Sequence, residues 1–236
     1  MLTQRDSATD GKVRMKGSVS FMSCSTNPTV SSRARRSAII RRIATCAVFA
    51  ALSEILMFLE IPLPLMPPFL KFDFSEIPVL VGAFALGPVY GIVIELAKNL
   101  IHLPFTGTMG IGELSNFITG SLYVGTAGLF YVKHRTLKGA IISMIIGTLA
   151  LALVAVPVNA FLTLPLYGSV MNFSTDAIIS MSAAVNPLIK SQLTLLVLAF
   201  VPFNLFKGTV VSIVTFIVYK PVSRLIDKTY KATNPS

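Results

Sequence analysis

Six apolar segments occupy most of the chain between residues 43 and 219. Only 13% of the 236 residues are charged, roughly half the share found in a soluble domain. About 20 apolar residues in a helix span a hydrocarbon core. The sequence therefore predicts an all-α integral membrane protein with six transmembrane helices. The segments are Ile43–Leu59, Ile77–Leu86, Val89–Leu103, Leu114–Val132, Ala140–Leu164 and Leu193–Tyr219.

The second and third segments are short, and only Gly87-Pro88 separates them. Proline breaks a helix because it lacks an N–H group and clashes with the preceding turn. Broken helices at membrane depth are tolerated only where they pack in protein or line a cavity. These two segments are therefore predicted to form part of a binding-site wall.

The positive charges mark one side of the predicted membrane domain. The formal net charge is +10, and all but four of the 20 Lys and Arg residues lie before the first segment, within 133–138 or after the sixth segment. The positive-inside rule places these three stretches, and thus both termini, in the cytoplasm. The basic excess then indicates topology and gives no reason to invoke nucleic acid.

The distribution of polar and apolar residues divides the chain into three regions. Residues 1–38 are polar and rich in Ser, Thr and Arg, which predicts a disordered cytoplasmic extension. Residues 39–226 are predicted to form the six-helix membrane domain, and 227–236 a cytoplasmic tail. The true start, at Met1 or downstream at Met15 or Met22, is left open.

Several polar side chains lie at membrane depth, where each is costly and hence a functional candidate. Glu95, Asn99 and His102 share one face of the third segment, and Lys98 is placed to pair with Glu95. Together with amides on later segments, they predict an outward-facing pocket of neutral amides and one or two cations. Such a pocket suits a polar, largely neutral planar ligand. The alternative is a set of scattered interhelical hydrogen bonds. The further polar residues are Glu113, Asn116, Asn159, Asn204 and Lys207.

The connection after the first segment contains four prolines within residues 60–70 and cannot be helical. Its apolar side chains, Leu63 among them, suit a lid over an apolar ligand, and a passive connector is the alternative. In the first segment, Ala47 and Ala51 form a small-xxx-small pattern that permits close helix approach.

Sequence features of enzymes and metal sites are missing. No Walker A, G-x-G-x-x-G or H-E-x-x-H pattern occurs, and the two cysteines, Cys24 and Cys46, form no zinc-like cluster. We therefore expect no catalysis, no ATPase activity, no metal and no cofactor.

Five stretches resemble the riboflavin-specific substrate-binding (S) component of energy-coupling factor (ECF) transporters. The resemblance covers roughly residues 40–225. The stretches are Leu70-Lys71-Phe72-Asp73-Phe74-Ser75-Glu76-Ile77-Pro78 with Gly82-Ala83-Phe84-Ala85-Leu86-Gly87-Pro88, Lys98-Asn99-Leu100-Ile101-His102, Gly112-Glu113-Leu114-Ser115-Asn116-Phe117, and Phe203-Asn204-Leu205-Phe206-Lys207-Gly208.

The resemblance implies an S-component fold in the bacterial plasma membrane, with riboflavin as the transported ligand. It also implies partners, namely a membrane coupling subunit and two cytoplasmic ATPase subunits, with Ala47 and Ala51 contacting the coupling subunit. In the family, the loop after helix one and polar residues of helices five and six contact the flavin. The matching positions are Glu60, Ile61, Asn159, Asn204 and Lys207.

The full set of predicted ligand-binding residues combines those positions with polar and lid residues named above and with Lys71 from the first resembling stretch. Isoalloxazine has one apolar edge and one polar edge, which calls for apolar side chains on one side and amides with a cation on the other. Alternatives are an S component for another vitamin or purine-like ligand, or a stand-alone ion-coupled carrier. The predicted residues are Glu60, Ile61, Leu63, Lys71, Asn99, Asn116, Asn159, Asn204 and Lys207.

Overall fold

The computed structural model describes residues 32–64, 66–67 and 69–233, and side-chain surroundings within 36–218. These residues form nine α-helices, one short hairpin and three irregular helical turns. The helices are α1 Ser32–Met57, α2 Glu76–Leu86, α3 Pro88–His102, α4 Ile111–Lys133, α5 Leu137–Val158, α6 Leu164–Met171, α7 Thr175–Val185, α8 Gln192–Leu195 and α9 Val201–Thr233. The hairpin pairs β1 Ile61–Pro62 with β2 Lys71–Phe72, antiparallel.

Each predicted apolar segment corresponds to a helix of the bundle. Two continuous helical stretches, Leu137–Met171 and Gln192–Val218, are long and apolar enough to cross a membrane by length and composition alone. In the structure, the first and last helices extend beyond the predicted limits of the membrane domain. Residues 32–38 of the predicted extension belong to α1, and 227–233 of the predicted tail belong to α9. Residues 1–31 and 234–236 lie outside the described residues.

Helix α2 lies at the centre of the bundle, against α1, α3, α4 and α9. It has only 11 residues, a length of about 16 Å, and nine of them are buried. A helix that is apolar all round must be covered by protein. Gly87 has φ +110° and Pro88 is the first residue of α3, so the chain turns sharply between the two helices, as predicted.

The proline-rich connection contains no helix in its described residues, in agreement with the prediction. Pairing of Ile61 with Phe72 and of Pro62 with Lys71 makes it a hairpin instead of a free loop. The hairpin was not predicted, because two-residue strands carry no recognisable alternation. It lies beside an apolar cluster that includes Phe72, Leu164, Ile178 and Phe200.

Two π-helical turns interrupt the longest helices. Asn159–Thr163 lies between α5 and α6, and Leu196–Phe200 lies between α8 and α9. Pro157 just before the first turn, and Pro202 just after the second, remove donors that a regular helix would need. Such turns are frequent at functional sites, and here they precede or contain the predicted residues Asn159 and Asn204.

The stretch 171–190, whose role the sequence leaves open, contains a capped helix. Ser174 accepts a hydrogen bond from the Ala177 N–H at the start of α7. Ile178 and Ser182 are buried, and Ile178 packs in the apolar cluster beside the hairpin. Helix α7 therefore covers one side of this end of the bundle.

Candidate ligand-binding site

A cavity of about 600 Å³ opens at the end of the bundle where α2 and α4 begin. Its volume lies in the range of small-molecule sites. The hairpin, α2, α4, the two π turns, α6 and α9 all contribute to its wall. Polar groups come from the helix starts and from α9, and Phe69, Phe200 and Phe203 supply an aromatic side.

Lys207 is the buried cation of the cavity wall. Its Nζ lies 3.1 Å from Asp73 Oδ2 and 3.3 Å from Asn116 Oδ1, and 3.9 Å from Glu76 Oε1. Helix α9 carries Lys207 one turn after Asn204, so both reach the cavity from one face. Lys207 is thereby fixed by three elements that are distant in sequence.

Asp73 is held in place from both sides. The Ser75 N–H donates to Asp73 Oδ1 at 2.8 Å, and the Lys207 ammonium contacts Oδ2. Burial raises the pKa of the Asp73 carboxyl, but the Lys207 and Lys98 ammonium groups and the hydrogen bonds from Ser75 outweigh it and lower that pKa. Asp73 is therefore the ionised partner that orients Lys207.

A second buried cation lies behind the cavity wall. Lys98 Nζ contacts Glu95 Oε1 at 2.8 Å, Glu76 Oε1 at 2.9 Å and Ser75 Oγ at 3.1 Å. The predicted Glu95–Lys98 pair is confirmed. Glu76 joins this group to Lys207, so the two lysines and three carboxylates form one connected network.

The expectation of a mainly neutral, amide-lined pocket is wrong. Asp73 and Glu76 reach the site because α2 is short and its N-terminus lies at the cavity. In sequence both precede the second apolar segment, and neither was among the predicted site residues. His102, predicted on the same face as Glu95 and Asn99, is buried and lines the cavity, and its Nδ1 lies 2.9 Å from Glu54 Oε1.

The amides of Asn159, in the first π turn, and of Asn204, in α9, share one geometry. Asn159 Nδ2 donates to the Ala155 carbonyl at 2.7 Å, and Asn204 Nδ2 donates to the Phe200 carbonyl at 2.8 Å. Each bond runs to the residue four positions earlier and fixes the side chain. Neither amide oxygen accepts a hydrogen bond within the described part of the chain, so both are available to a ligand.

Six of the nine predicted ligand-binding residues line the cavity, and three do not. Asn99 lies behind the wall, where it donates to Glu95 Oε1 and accepts from Asn116 Nδ2. Ile61 is exposed in β1, and Leu63 packs against the apolar cluster beside the hairpin. The six on the cavity are Glu60, Lys71, Asn116, Asn159, Asn204 and Lys207.

Other wall residues escaped sequence reasoning. Asp73 and Glu76 could have been found, because Ser75 before an acidic first turn and Pro78 is a helix-start pattern. Thr163 and Tyr167 line the cavity from the π turn and α6, which no sequence signal indicated. Lys71 and Glu60 form an ion pair at the mouth, across the hairpin.

The predicted partner-binding residues lie elsewhere. Ala47 and Ala51 are exposed on α1, whereas Ala50 between them is only 4% exposed. The small-residue stripe therefore faces away from the bundle, outside the cavity.

Gly120 brings α4 against the carboxylates of the network, and Gly120→Ala is expected to destabilise the protein. An added Cβ would lie 2.6 Å from Glu95 Oε1, which Lys98 and Asn99 hold in place. Overpacking of this kind costs about 1–3 kcal/mol, more than an alanine gains in a helix. The thermal midpoint in detergent should fall.

Gly125→Ala is the matched control for this substitution on the same helix. Its added Cβ would lie 3.4 Å from Ile92 Cδ1, an ordinary contact. Its midpoint should stay unchanged or rise. Equal midpoints for the two variants would show that the carboxylates can move aside freely.

Known proteins resemble this chain in sequence and in fold. Residues 41–219 match a family model described as ECF transporter, substrate-specific component. The chain is 32% identical over 188 residues to the riboflavin transporter RibU of Staphylococcus aureus, covering 80% of this chain and 93% of that protein. It is 27% identical over 183 residues to the riboflavin transporter FmnP of Bacillus subtilis, covering 76% and 90%. A solved S component of a bacterial ECF transporter superposes with a TM-score of 0.63 at 31% identity, covering 79% of this chain and 97% of that one.

Proposed function

The chain belongs to the substrate-specific components of ECF transporters, and from this premise we propose that it captures riboflavin from outside the cell for an ATP-driven vitamin importer. Its family consists of transporter components, so the protein is a membrane protein and not an enzyme. The names of its relatives, riboflavin transporters over nearly their full length, supply the ligand.

The observation that carries the proposal is that the cavity has one polar side and one apolar side. Lys207 and the free oxygens of Asn159 and Asn204 offer a donor and acceptors on one side, which suits the polar edge of isoalloxazine. Phe69 and Phe200, with ring centroids 6.0 Å apart, offer an apolar side for the dimethylbenzene edge.

The proposal extends to topology and partners. Six spans with both termini in the cytoplasm, in a multi-pass cell-membrane protein, place the cavity at the outer face. A membrane coupling subunit and two ATPase subunits would supply the energy, and the exposed stripe of Ala47 and Ala51 would meet the coupling subunit. The proposed sense of insertion follows from the positive-inside rule.

Ligand identification tests the proposal directly. Protein purified from cells grown with riboflavin should show flavin absorbance, and ligand-free protein should quench added riboflavin in a saturable 1:1 titration. A folded protein that does neither would refute the proposal. Mass spectrometry of the released ligand separates riboflavin from another vitamin, and uptake driven by an ion gradient without ATPase subunits would favour a stand-alone carrier.

The charges of the cavity predict discrimination between flavins. Four carboxylates but only two lysines line it, an excess of negative charge that opposes a phosphate group. Flavin mononucleotide is therefore expected to bind at least about tenfold more weakly than riboflavin, a difference of about 1.4 kcal/mol. Competition titrations measure the ratio, and tighter binding of the phosphorylated flavin would contradict the expectation. The carboxylates are Glu60, Asp73, Glu76 and Glu113, and the lysines are Lys71 and Lys207.

A further inference from the structure

A second cavity, a groove of about 450 Å³, lies between α5 and α9 and shares no lining residue with the ligand-binding cavity. Seven of its lining residues are apolar and three carry hydroxyl groups. They are Ile141, Met144, Ile145, Thr148 and Leu149 of α5, and Leu205, Thr209, Ser212, Ile213 and Phe216 of α9.

Two of the three groove hydroxyl groups, those of Thr148 and Ser212, are already paired, and the third, on Thr209, is exposed. Ser212 Oγ lies 3.2 Å from Tyr123 Oη and 3.3 Å from Thr148 Oγ1. Gly208 lets α9 approach α5 closely there, because an added Cβ would lie 2.8 Å from Thr148 Cγ2. With these hydroxyls satisfied, the groove offers mainly apolar contacts, which suits a hydrocarbon chain.

The length of the groove suits a lipid acyl chain. Ile141 to Leu149 spans about 12 Å along α5, and Leu205 to Phe216 spans about 16 Å along α9. Half of a bilayer's hydrocarbon core is about 15 Å thick. The groove thus runs for about one leaflet.

Positive charge lies at one end of the groove. Lys138 shares one face of α5 with Ile141, Ile145 and Leu149, at spacings of three, seven and 11 residues, and its side chain is exposed. No Asp or Glu occurs in the sequence between Glu113 and Asp176, so no acidic residue lies on α5. A basic end joined to an apolar groove matches an anionic lipid.

We propose that the groove between α5 and α9 binds an anionic phospholipid, with one acyl chain along the groove and the phosphate at Lys138. Lys138 lies on α5, which packs on α4 and α9, whereas the alanine stripe lies on α1, which packs on α2 and α3; the other groove helix, α9, shares α2 as a neighbour with α1. A lipid there is compatible with a partner bound at α1.

A single introduced tryptophan can report the occupant, because the sequence contains none. Phe216→Trp places the reporter in the groove, and Ile217→Trp places a matched control on the neighbouring exposed position of α9, outside the groove. Both proteins are reconstituted in vesicles of phosphatidylcholine and phosphatidylglycerol. In each sample one lipid alone carries bromine on its acyl chains, which quenches nearby tryptophan.

Phosphatidylglycerol is expected to be enriched about fivefold at the groove reporter, the preference that one lysine near a membrane surface provides. The control reporter should show no enrichment. Adding Lys138→Gln to the groove reporter should remove the preference, whereas Arg41→Gln at the cytoplasmic end of α1 should not. Helical circular dichroism verifies folding of each variant.

Three results would overturn the proposal. Equal quenching of the groove reporter by both lipids would mean that the groove contacts bulk lipid without selection. Quenching by neither lipid, with normal quenching of the control, would mean that a second copy of the chain or another protein covers it. A preference that persists in the Lys138→Gln protein would likewise remove the assigned phosphate site.

Discussion

Replacing Lys207 with glutamine is expected to weaken riboflavin binding by about 10- to 100-fold, the worth of one hydrogen bond from a charged donor. Lys207 is the buried cation on the cavity wall, and Asp73 and Asn116 fix its ammonium group. Fluorescence titration with riboflavin measures the change. An unaltered affinity in the folded variant would mean that the ligand does not contact this group.

Loss of Lys207 alone also leaves Asp73 as an unbalanced buried charge, which destabilises a protein by about 3–5 kcal/mol. The double variant Asp73→Asn with Lys207→Gln removes both charges and should recover most of the thermal stability. Its riboflavin affinity should remain low. Recovery of both stability and affinity would assign Lys207 a structural role only.

Asp73→Asn by itself distinguishes orientation from contact. The lysine keeps its charge but loses the partner at 3.1 Å, so affinity should fall by less than in Lys207→Gln. Lys190→Gln, an exposed lysine outside the cavity lining, is the matched control and should leave binding unchanged.

Hydropathy and residue spacing predicted those structural features that depend on residues close together in sequence. The helices follow from the apolar segments, the turn between α2 and α3 follows from Gly87-Pro88, and the Glu95–Lys98 pair follows from its spacing of three residues. Asn204 and Lys207 share a face for the same reason. Local periodicity determines which side chains of one helix lie together.

Contacts between distant parts of the chain could not be predicted in this way. Asp73 and Lys207 are 134 residues apart, and Lys98 and Glu76 are 22 apart across a sharp turn. Without these partners, the site was expected to be lined by neutral amides and one or two cations. Asn99 lies on the predicted face of its helix but does not reach the cavity. Its amide group is hydrogen-bonded to Glu95 and Asn116 instead.

The network explains why a chain with so few charges buries so many of them. Each of the three carboxylates lies within 3.1 Å of a lysine ammonium, with Lys98 shared by two of them, and these contacts offset part of the cost of burying the charges. The arrangement joins α2, α3 and α9 through side chains and leaves Lys207 facing the cavity. A fixed cation in a preformed site reduces the ordering cost of ligand capture.

Replacing Ala47 or Ala51 with phenylalanine is expected to abolish riboflavin uptake while leaving riboflavin binding intact. Both alanines are exposed on α1, and a small-residue stripe permits close approach of a partner helix. Bulk at such a contact costs about 1–3 kcal/mol, or about 5- to 150-fold in association with the coupling subunit. Uptake by the reconstituted complex and titration of the isolated protein measure the two properties separately.

Leu153→Phe on α5 is the matched control, since Leu153 is 74% exposed on a helix whose main packing partners are α4 and α9 rather than α1. It should transport normally. Because the alanine stripe lies outside the cavity, a bulky residue there can affect riboflavin binding only indirectly, by displacing α1. Loss of binding in Ala47→Phe would therefore make the stripe part of the fold, and normal uptake by both alanine variants would place the coupling surface on another helix.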